Sequence, residues 1–249
     1  MNYISAIFDP MSENLVIIPT YNERENIEKV IRKVFSLSVP FDILVVDDNS
    51  PDGTSGLVKE FQKEFDRLFL ELRQKKDGLG KAYVHGFKWA LKNQYNYIFE
   101  MDADLSHNPE DLPRLLNALQ TDADMVIGSR YSHGVNVVNW PMSRVLLSYT
   151  ASKYARFVTS LPIKDATAGF VGYKKEVLES LDLNKIKFKG YGFQIEMKYR
   201  VWKKKFRLKE VPIIFTNRVA GKSKINSGIM GEAVFGIIML RILSIFGKL

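Results

Sequence analysis

Short apolar runs that lack polar alternation recur through the first half of the chain, and each is followed by a segment with helical periodicity. The runs occupy residues 15–19, 42–47, 97–102 and 124–129, with a further one at 68–72. Two helical segments span about 23–37 and 55–66, a third begins at Gly80, and a fourth follows Pro109. Strands without alternation are buried on both faces. The pattern therefore predicts an α/β fold, a mostly parallel, Rossmann-like sheet covered by helices.

The second half of the chain alternates less regularly. A polar loop over 132–141 precedes a helical stretch near 143–160, a strand at 170–173, a helix over about 192–204 and a strand near 207–215. We expect a single large domain over residues 1–228, followed by an apolar C-terminal helix over 229–249. Arg241 interrupts this apolar tail, which is too short to span a bilayer. These features favour a cytoplasmic protein that is peripheral at a membrane surface.

Charge and cysteine content restrict the partners. Lys and Arg total 36 against 28 Asp and Glu, a net charge of +8, so we expect an anionic partner: nucleic acid, a phosphorylated substrate or lipid headgroups. The chain has no cysteine, so any metal must be bound by oxygen or histidine.

Polar clusters follow four of the predicted strands. PTYNE follows the first strand, DDNSPDGT the second, DADLSH the fourth and GSRY the fifth. Ligands bind at the carboxyl ends of the strands in sheets of this kind. Four polar clusters at one edge therefore predict a binding site there.

The acidic pair Asp102 and Asp104 is the candidate metal site. It ends an apolar strand, where alternation would point both carboxylates in the same direction. Mg²⁺ and Mn²⁺ prefer oxygen ligands and leave positions open for substrate phosphates. The alternative is a solvated acidic turn that caps the next helix.

The first two clusters are candidates for binding a nucleoside. Tyr21 offers an aromatic face, and Glu23 and Asp48 offer carboxylates to a base or ribose. Glu23 could instead be a helix-start residue favoured by the macrodipole.

Several basic residues are candidates for binding phosphate. A pyrophosphate and an acceptor phosphate need cations, and the chain offers Arg130, Arg144, Arg218 and Lys224. The alternative for any one of them is a solvated surface charge.

An ordered series of motifs resembles a known family. In order they are PTYNERENI, VVDDNSPDGT, GLGKAYVHG, MDADLSHNP, GSRY, DATAGFVGYKKEVL, GYGFQIEM and VAGKSK. Over about residues 14–226 the chain resembles the dolichyl-phosphate mannosyltransferases of glycosyltransferase family 2. The resemblance implies a GT-A fold, a GDP-mannose donor, Mg²⁺ or Mn²⁺, and inversion at the sugar to give a β-linked polyprenyl phosphate mannose. A polyprenyl phosphate lipid, a membrane surface and a separate membrane-anchoring subunit would be its partners.

The resemblance also implies roles for individual residues. Those of the nucleotide pocket would be Pro19, Tyr21, Glu23, Val46 and Asp48, with the Ala103 backbone nearby. Asp102 and Asp104 would bind the metal, and Arg130, Arg218 and Lys224 would contact phosphates. Arg144 and Ser148 would lie on the side of the acceptor phosphate. Asp104, Arg130 and Arg144 would be the catalytic residues.

Three alternatives remain at this point. A polyprenyl-phosphate glucosyltransferase, or a transferase of another sugar, would use the same metal and pyrophosphate chemistry. A noncatalytic nucleotide-sugar-binding subunit would retain the fold without turnover. A nucleic-acid-binding module would explain the positive charge, but the sequence has no RNP, helix-turn-helix or zinc motif, so we expect no nucleic acid partner.

Overall fold

The structure of the chain is a computed structural model that describes residues 12–217 and 227–247. Within these residues, seven strands form one sheet in the order β3-β2-β1-β4-β7-β5-β8. The strands are β1 (Asn14–Thr20), β2 (Asp42–Asp47), β3 (Leu68–Leu72), β4 (Tyr97–Glu100), β5 (Met125–Ser129), β7 (Val171–Lys174) and β8 (Leu208–Pro212). A second, two-stranded sheet pairs β6 (Val137–Val138) with β9 (Phe215–Thr216) in parallel.

Helices cover both faces of the large sheet. They are α1 (Arg24–Phe35), α2 (Thr54–Phe61), α3 (Leu79–Lys92), α4 (Leu112–Thr121), α5 (Met142–Thr159), α6 (Lys175–Glu179), α7 (Tyr191–Lys203) and α8 (Ser227–Ile245). One core cluster contains side chains of α3 and α7, and the other contains side chains of α1 and α4. Strands β1 and β2 contribute to both clusters, because their side chains are buried on both faces. The predicted α/β fold with a mostly parallel sheet is confirmed.

One strand runs against the others. β7 lies between β4 and β5 and is antiparallel to both, whereas β1 pairs in parallel with β2 and β4, and β5 with β8. The segment predicted as one strand near 207–215 is two strands, β8 and β9, in different sheets. The break lets β9 pair with β6, so the end of the segment lies over the loop that begins after β5.

The C-terminal helix α8 belongs in part to the core. It packs against α7 and α5, and Ile237 and Leu240 are buried. Gly236 lies so close to the Phe188 ring that a Cβ atom there would approach it to 2.1 Å. Within the ranges the structure covers, no helix combines the length and the apolar character that crossing a bilayer requires.

Candidate active site

The loops that follow β1, β2, β3 and β4 lie side by side at the carboxyl edge of the parallel strands. Adjacent register pairs, Pro19 with Val46 and Asp47 with Leu72, bring the ends of three strands to the same level. The clusters PTYNE and DDNSPDGT therefore meet, as predicted for ligand binding at such an edge.

Asp47 joins the first two loops. Its carboxylate accepts hydrogen bonds from the Thr20 hydroxyl at 2.7 Å, the Ser50 hydroxyl at 2.6 Å and the Ser50 backbone N–H at 2.8 Å. Asp47 is fully buried, and with these partners it acts as a structural clamp. Its neighbour Asp48, the predicted nucleotide residue, is also buried at this edge, with 8% of its side chain exposed.

The residues predicted to bind the nucleotide differ in their burial and in their hydrogen bonds. Val46 is fully buried and exposes no surface at this edge, while Pro19 and Tyr21 are half-buried. The Glu23 carbonyl accepts the first helical hydrogen bonds of α1, and its carboxylate accepts from Asn26 Nδ2 at 3.1 Å. Glu23 therefore lies at the start of α1 without a side-chain cap, and its nucleotide contact stays a prediction.

The predicted metal residues lie in a turn. β4 ends at Glu100, so Asp102 and Asp104 come after the strand, and the argument from strand alternation was wrong. Asp104 is buried and accepts from the Ser106 N–H at 3.1 Å, whereas the Asp102 side chain is 37% exposed. Ala103 between them is buried. The turn thus still brings both residues to the predicted edge of the sheet.

His107 fixes the start of this turn. Its Nδ1 accepts a hydrogen bond from the Asp102 backbone N–H at 3.2 Å. The ring stacks on Phe170, with centroids 5.0 Å apart, and meets the edge of Phe215 at 5.2 Å. Burial lowers the pKa of His107 to about 4, so the ring is neutral and Nδ1 can accept.

Arg130 forms a buried ion pair. Its Nε and Nη2 donate to the two oxygens of Asp165 at 2.8 and 2.7 Å, and Nη2 also donates to Thr167 at 2.9 Å. Although burial raises the pKa of Asp165, Arg130 holds it below its usual range. The Arg130 guanidinium, predicted to bind a phosphate, therefore binds a carboxylate here, and its contact with a phosphate stays a prediction.

Arg144 and Ser148 lie one turn apart on α5. Arg144 Nη1 donates to Asn217 Oδ1 at 2.9 Å, and its guanidinium lies over Trp140, 4.0 Å from the ring centroid. The guanidinium of Arg130 is 5.7 Å from the centroid of the same ring, so both arginines lie close to Trp140. Arg218 and Lys224 lie outside the described residues.

Comparison with known proteins decides the family. The model described as Glycosyl transferase family 2 matches residues 15–182. The chain belongs to glycosyltransferase family 2. It is 47% identical over 233 residues to the polyprenol monophosphomannose synthase of Mycolicibacterium smegmatis, covering 93% of this chain and 88% of that protein. It is 46% identical to the undecaprenyl-phosphate mannosyltransferase of Micrococcus luteus, covering 90% of this chain and 91% of the relative.

Solved structures confirm the GT-A fold of this glycosyltransferase. Glucosyl-3-phosphoglycerate synthase from Mycobacterium tuberculosis, solved with Mn²⁺, UDP and glucosyl-3-phosphoglycerate, matches with a TM-score of 0.64 and 17% identity, covering 92% of this chain and 78% of that one. A mannosyltransferase from Pyrobaculum calidifontis, solved with GDP-Man and Mn²⁺, matches with a TM-score of 0.58 and 16% identity, covering 95% and 72%.

The residues at the edge fit a divalent ion. Asp102 and Asp104 supply carboxylate oxygens, the ligands that Mg²⁺ and Mn²⁺ prefer. In the described ranges no three His, Asp or Glu side chains gather as a complete metal site. A metal held by two carboxylates and completed by diphosphate oxygens and water is the usual arrangement for Mg²⁺.

A buried polar cluster beneath the glycosyltransferase site escaped the sequence analysis. Lys198 is fully buried, and its Nζ donates to the Ala168 carbonyl at 2.7 Å and to Gln194 Oε1 at 3.0 Å. Gln194 in turn donates to Glu100, which also accepts from the Tyr173 hydroxyl at 2.6 Å. The cluster joins β4, α7 and the loop 165–169 that carries Asp165.

Burial dominates the titration of this cluster. It raises the pKa of Glu100 to about 7, with Tyr173, Gln194 and Lys198 acting in the opposite direction. It lowers the pKa of Lys198 to about 8, against the attraction of Glu100 and Asp165. Asp165 and Gln194 stand in the DATAGF and GYGFQIEM motifs, and those motifs were the signal that could have pointed to them.

Proposed function

We propose that this glycosyltransferase moves mannose from GDP-mannose to a polyprenyl phosphate, giving β-linked polyprenyl phosphate mannose and GDP. The observation that carries the proposal is the similarity, along nearly the whole chain, to relatives named as mannosyltransferases of polyprenyl phosphates. The GDP-Man bound in a neighbour of the same fold supports the choice of donor. Family membership favours turnover over a noncatalytic subunit and over a nucleic-acid-binding module.

The acceptor sets the chemistry. A phosphate monoester is already ionised at neutral pH, so its oxygen can attack the anomeric carbon without a protein general base. Attack opposite the departing diphosphate inverts the anomeric configuration. The protein would then act mainly by holding the two substrates in line and by stabilising charge.

Each part of the edge has a task in this proposal. The loops after β1 and β2, with Tyr21 and Asp48, would bind the nucleoside, and the turn of Asp102 and Asp104 would hold Mg²⁺ or Mn²⁺, which neutralises the leaving diphosphate when bound. Arg144 and Ser148, on the same helix face, would hold the acceptor phosphate. Asp165 holds the Arg130 guanidinium in place near Trp140, which Arg144 also contacts.

The apolar surface of α5 and α8 would meet the bilayer that holds the acceptor. On α5 the exposed side chains include Met142, Leu146, Leu147 and Phe157, which is 88% exposed. On α8 they include Phe235, Met239, Ile242 and Ile245. We call these eight side chains the apolar face. Because Arg144 and Ser148 lie on α5 as well, the proposed phosphate site would sit beside the lipid surface. An anchoring subunit stays a prediction.

A donor panel tests the proposal. Purified protein is incubated with extracted polyprenyl phosphate, Mn²⁺ and GDP-mannose, GDP-glucose, UDP-glucose or UDP-galactose, each radiolabelled in the sugar. We expect label in the lipid phase with GDP-mannose at a rate at least about tenfold above the others. Preferential transfer of glucose would establish the glucosyltransferase alternative instead.

A further inference from the structure

The loop after β3 closes over two of the proposed nucleotide residues. It spans residues 73–78, with the sequence RQKKDG. Arg73 Nη1 donates to Asp48 Oδ1 at 2.7 Å, and Lys76 Nζ lies 4.3 Å from the centroid of the Tyr21 ring. Asp48 follows β2 and Tyr21 follows β1, so the loop after β3 is the third loop that borders the proposed nucleotide site.

This loop is fixed at both ends. The Arg73 N–H donates to the Asp47 carbonyl at 2.8 Å, so the loop starts in register with β2. Near its other end Lys189 Nζ pairs with Asp77 at 2.5 Å, and Gly78 has a φ of +92°. A Cβ atom at Gly78 would approach Lys189 to 2.7 Å, which only glycine avoids. The contacts at both ends of the loop therefore fix the position of Arg73.

Arg73 and Asp48 form a shielded pair. Their side chains are 14% and 8% exposed. Burial raises the pKa of Asp48, and the charge of Arg73 opposes that rise. With one carboxylate oxygen bound to Arg73 and a further hydrogen bond from the Asp77 backbone, the Asp48 carboxylate is held in one orientation relative to the edge of the sheet.

A carboxylate in a fixed plane can distinguish bases. The Watson–Crick edge of guanine presents two adjacent N–H groups, N1–H and the exocyclic N2–H, beside the O6 acceptor, whereas uracil presents a single N–H between two carbonyl acceptors. A carboxylate accepts from two parallel N–H donors, and its oxygens are repelled by carbonyl oxygens.

We propose that Arg73 is a positioning residue for base selection: it orients the Asp48 carboxylate to accept from guanine, and so favours GDP over UDP at this site. The inference rests on the proposed function, in which Asp48 contacts the donor nucleotide.

The ratio of two dissociation constants isolates this effect. GDP and UDP carry the same diphosphate and bind metal alike, so Kd(UDP)/Kd(GDP), measured by titration calorimetry with Mn²⁺, reports the base alone. We expect a ratio above about ten for the wild-type chain, falling about tenfold in Arg73→Gln because one charged hydrogen bond orients Asp48. Arg73→Lys should keep part of the preference.

Lys75→Met is the matched control. Lys75 is exposed on the same loop, and its substitution removes one positive charge as Arg73→Gln does. We expect its ratio to equal that of the wild type. A thermal melt of each variant checks that the chain is folded.

The outcomes separate the inference from the proposed function. A wild-type preference for GDP that persists in Arg73→Gln overturns the role of Arg73 and leaves the proposed donor standing. Equal weakening of both nucleotides shows a purely structural role and also overturns it. A wild-type preference for UDP overturns the GDP-mannose donor itself.

Discussion

At the scale of single residues, the site depends on side chains that hold other side chains in place. Asp47 joins two loops, His107 fixes the turn of Asp102 and Asp104, and Asp165 binds Arg130. The sequence indicated where Asp48, Asp102 and Asp104 would lie, because each follows an apolar run. It gave no sign of the pairing between Arg130 and Asp165, which are 35 residues apart in the chain.

Asp104→Asn tests the proposed metal site. Asparagine keeps an oxygen that can accept from the Ser106 N–H, so the turn should persist and the melting temperature should change by less than about 3 °C. Loss of one anionic ligand should lower the rate of metal-dependent transfer roughly a hundredfold or more. The measurement is turnover against Mn²⁺ concentration. Wild-type turnover with an unchanged metal dependence would remove Asp104 from the metal site.

Arg130→Lys and Asp165→Asn test the buried ion pair. Lysine cannot reproduce the two parallel hydrogen bonds, and asparagine leaves the guanidinium without its counter-charge. Each variant should lose about 2–4 kcal/mol of stability and most of its activity, because breaking a buried pair is costly. In the double variant, the loss of stability should be smaller than the sum of the losses in the two single variants. Strict additivity in urea unfolding would mean that the pair is not coupled.

Lys198 predicts a pH dependence of stability. Its pKa is lowered to about 8 in the folded chain, from 10.5 in the unfolded chain. Between these values the unfolded state binds the extra proton, so this residue makes the free energy of unfolding rise with pH, by at most about 1.4 kcal/mol per pH unit. Urea unfolding of the wild type and Lys198→Met between pH 8 and 9.5 measures the difference in slope. Equal slopes would place the Lys198 pKa at its ordinary value.

At the scale of elements, the apolar runs allowed the strands of the sheet to be predicted, but the sequence carried no signal of how deeply a helix with charged residues is buried. β1, β2, β4 and β5 were predicted because strands buried on both faces lack alternation. The helical segment near 192–204 was predicted but its depth was not, because charged side chains are usually solvated and Lys198 and Glu196 are fully buried. The two-residue strands β6 and β9 are too short to leave a periodic pattern, and the antiparallel direction of β7 has no local signature.

The C-terminal helix packs on the core along one side. Ile237 and Leu240 are buried there, and the other side exposes Phe235 and Ile245. Arg241, the polar interruption, donates to the Tyr199 hydroxyl at 3.4 Å. The division of the chain into a domain over residues 1–228 and an apolar helix over residues 229–249 stays a prediction.

Substitutions on the apolar face test its proposed contact with lipid. Deleting α8 would also remove buried side chains, so Phe157→Ser combined with Phe235→Ser is the sharper change. We expect flotation with anionic liposomes to fall at least about tenfold, because two large apolar side chains no longer insert. GDP binding and the melting temperature should persist.

Leu72→Ser is the control for this experiment. Leu72 is an exposed leucine on β3, at the edge of the sheet opposite β8. Its replacement should leave flotation unchanged. Equal flotation of the double variant and the wild type would exclude the apolar face as the lipid contact.

At the scale of the whole molecule, the ligands proposed for the site line up along the sheet. From β3 to β4 the loops would hold the nucleoside and then the metal, and beyond β5 the cations and α5 would take the acceptor phosphate. The net charge of +8 agrees with two phosphorylated substrates and an anionic surface. In the proposed mechanism the acceptor phosphate itself is the nucleophile.

The most direct measurement of that claim compares two acceptors of equal chain length. GDP-mannose labelled in the sugar is supplied with Mn²⁺ and either a polyprenyl phosphate or the corresponding polyprenol, and the lipid product is analysed by mass spectrometry and NMR. The account predicts one mannose per phosphate in β linkage, with release of one GDP, and no product from the alcohol. Mannosylation of the polyprenol at a comparable rate, or an α-linked product, would contradict it.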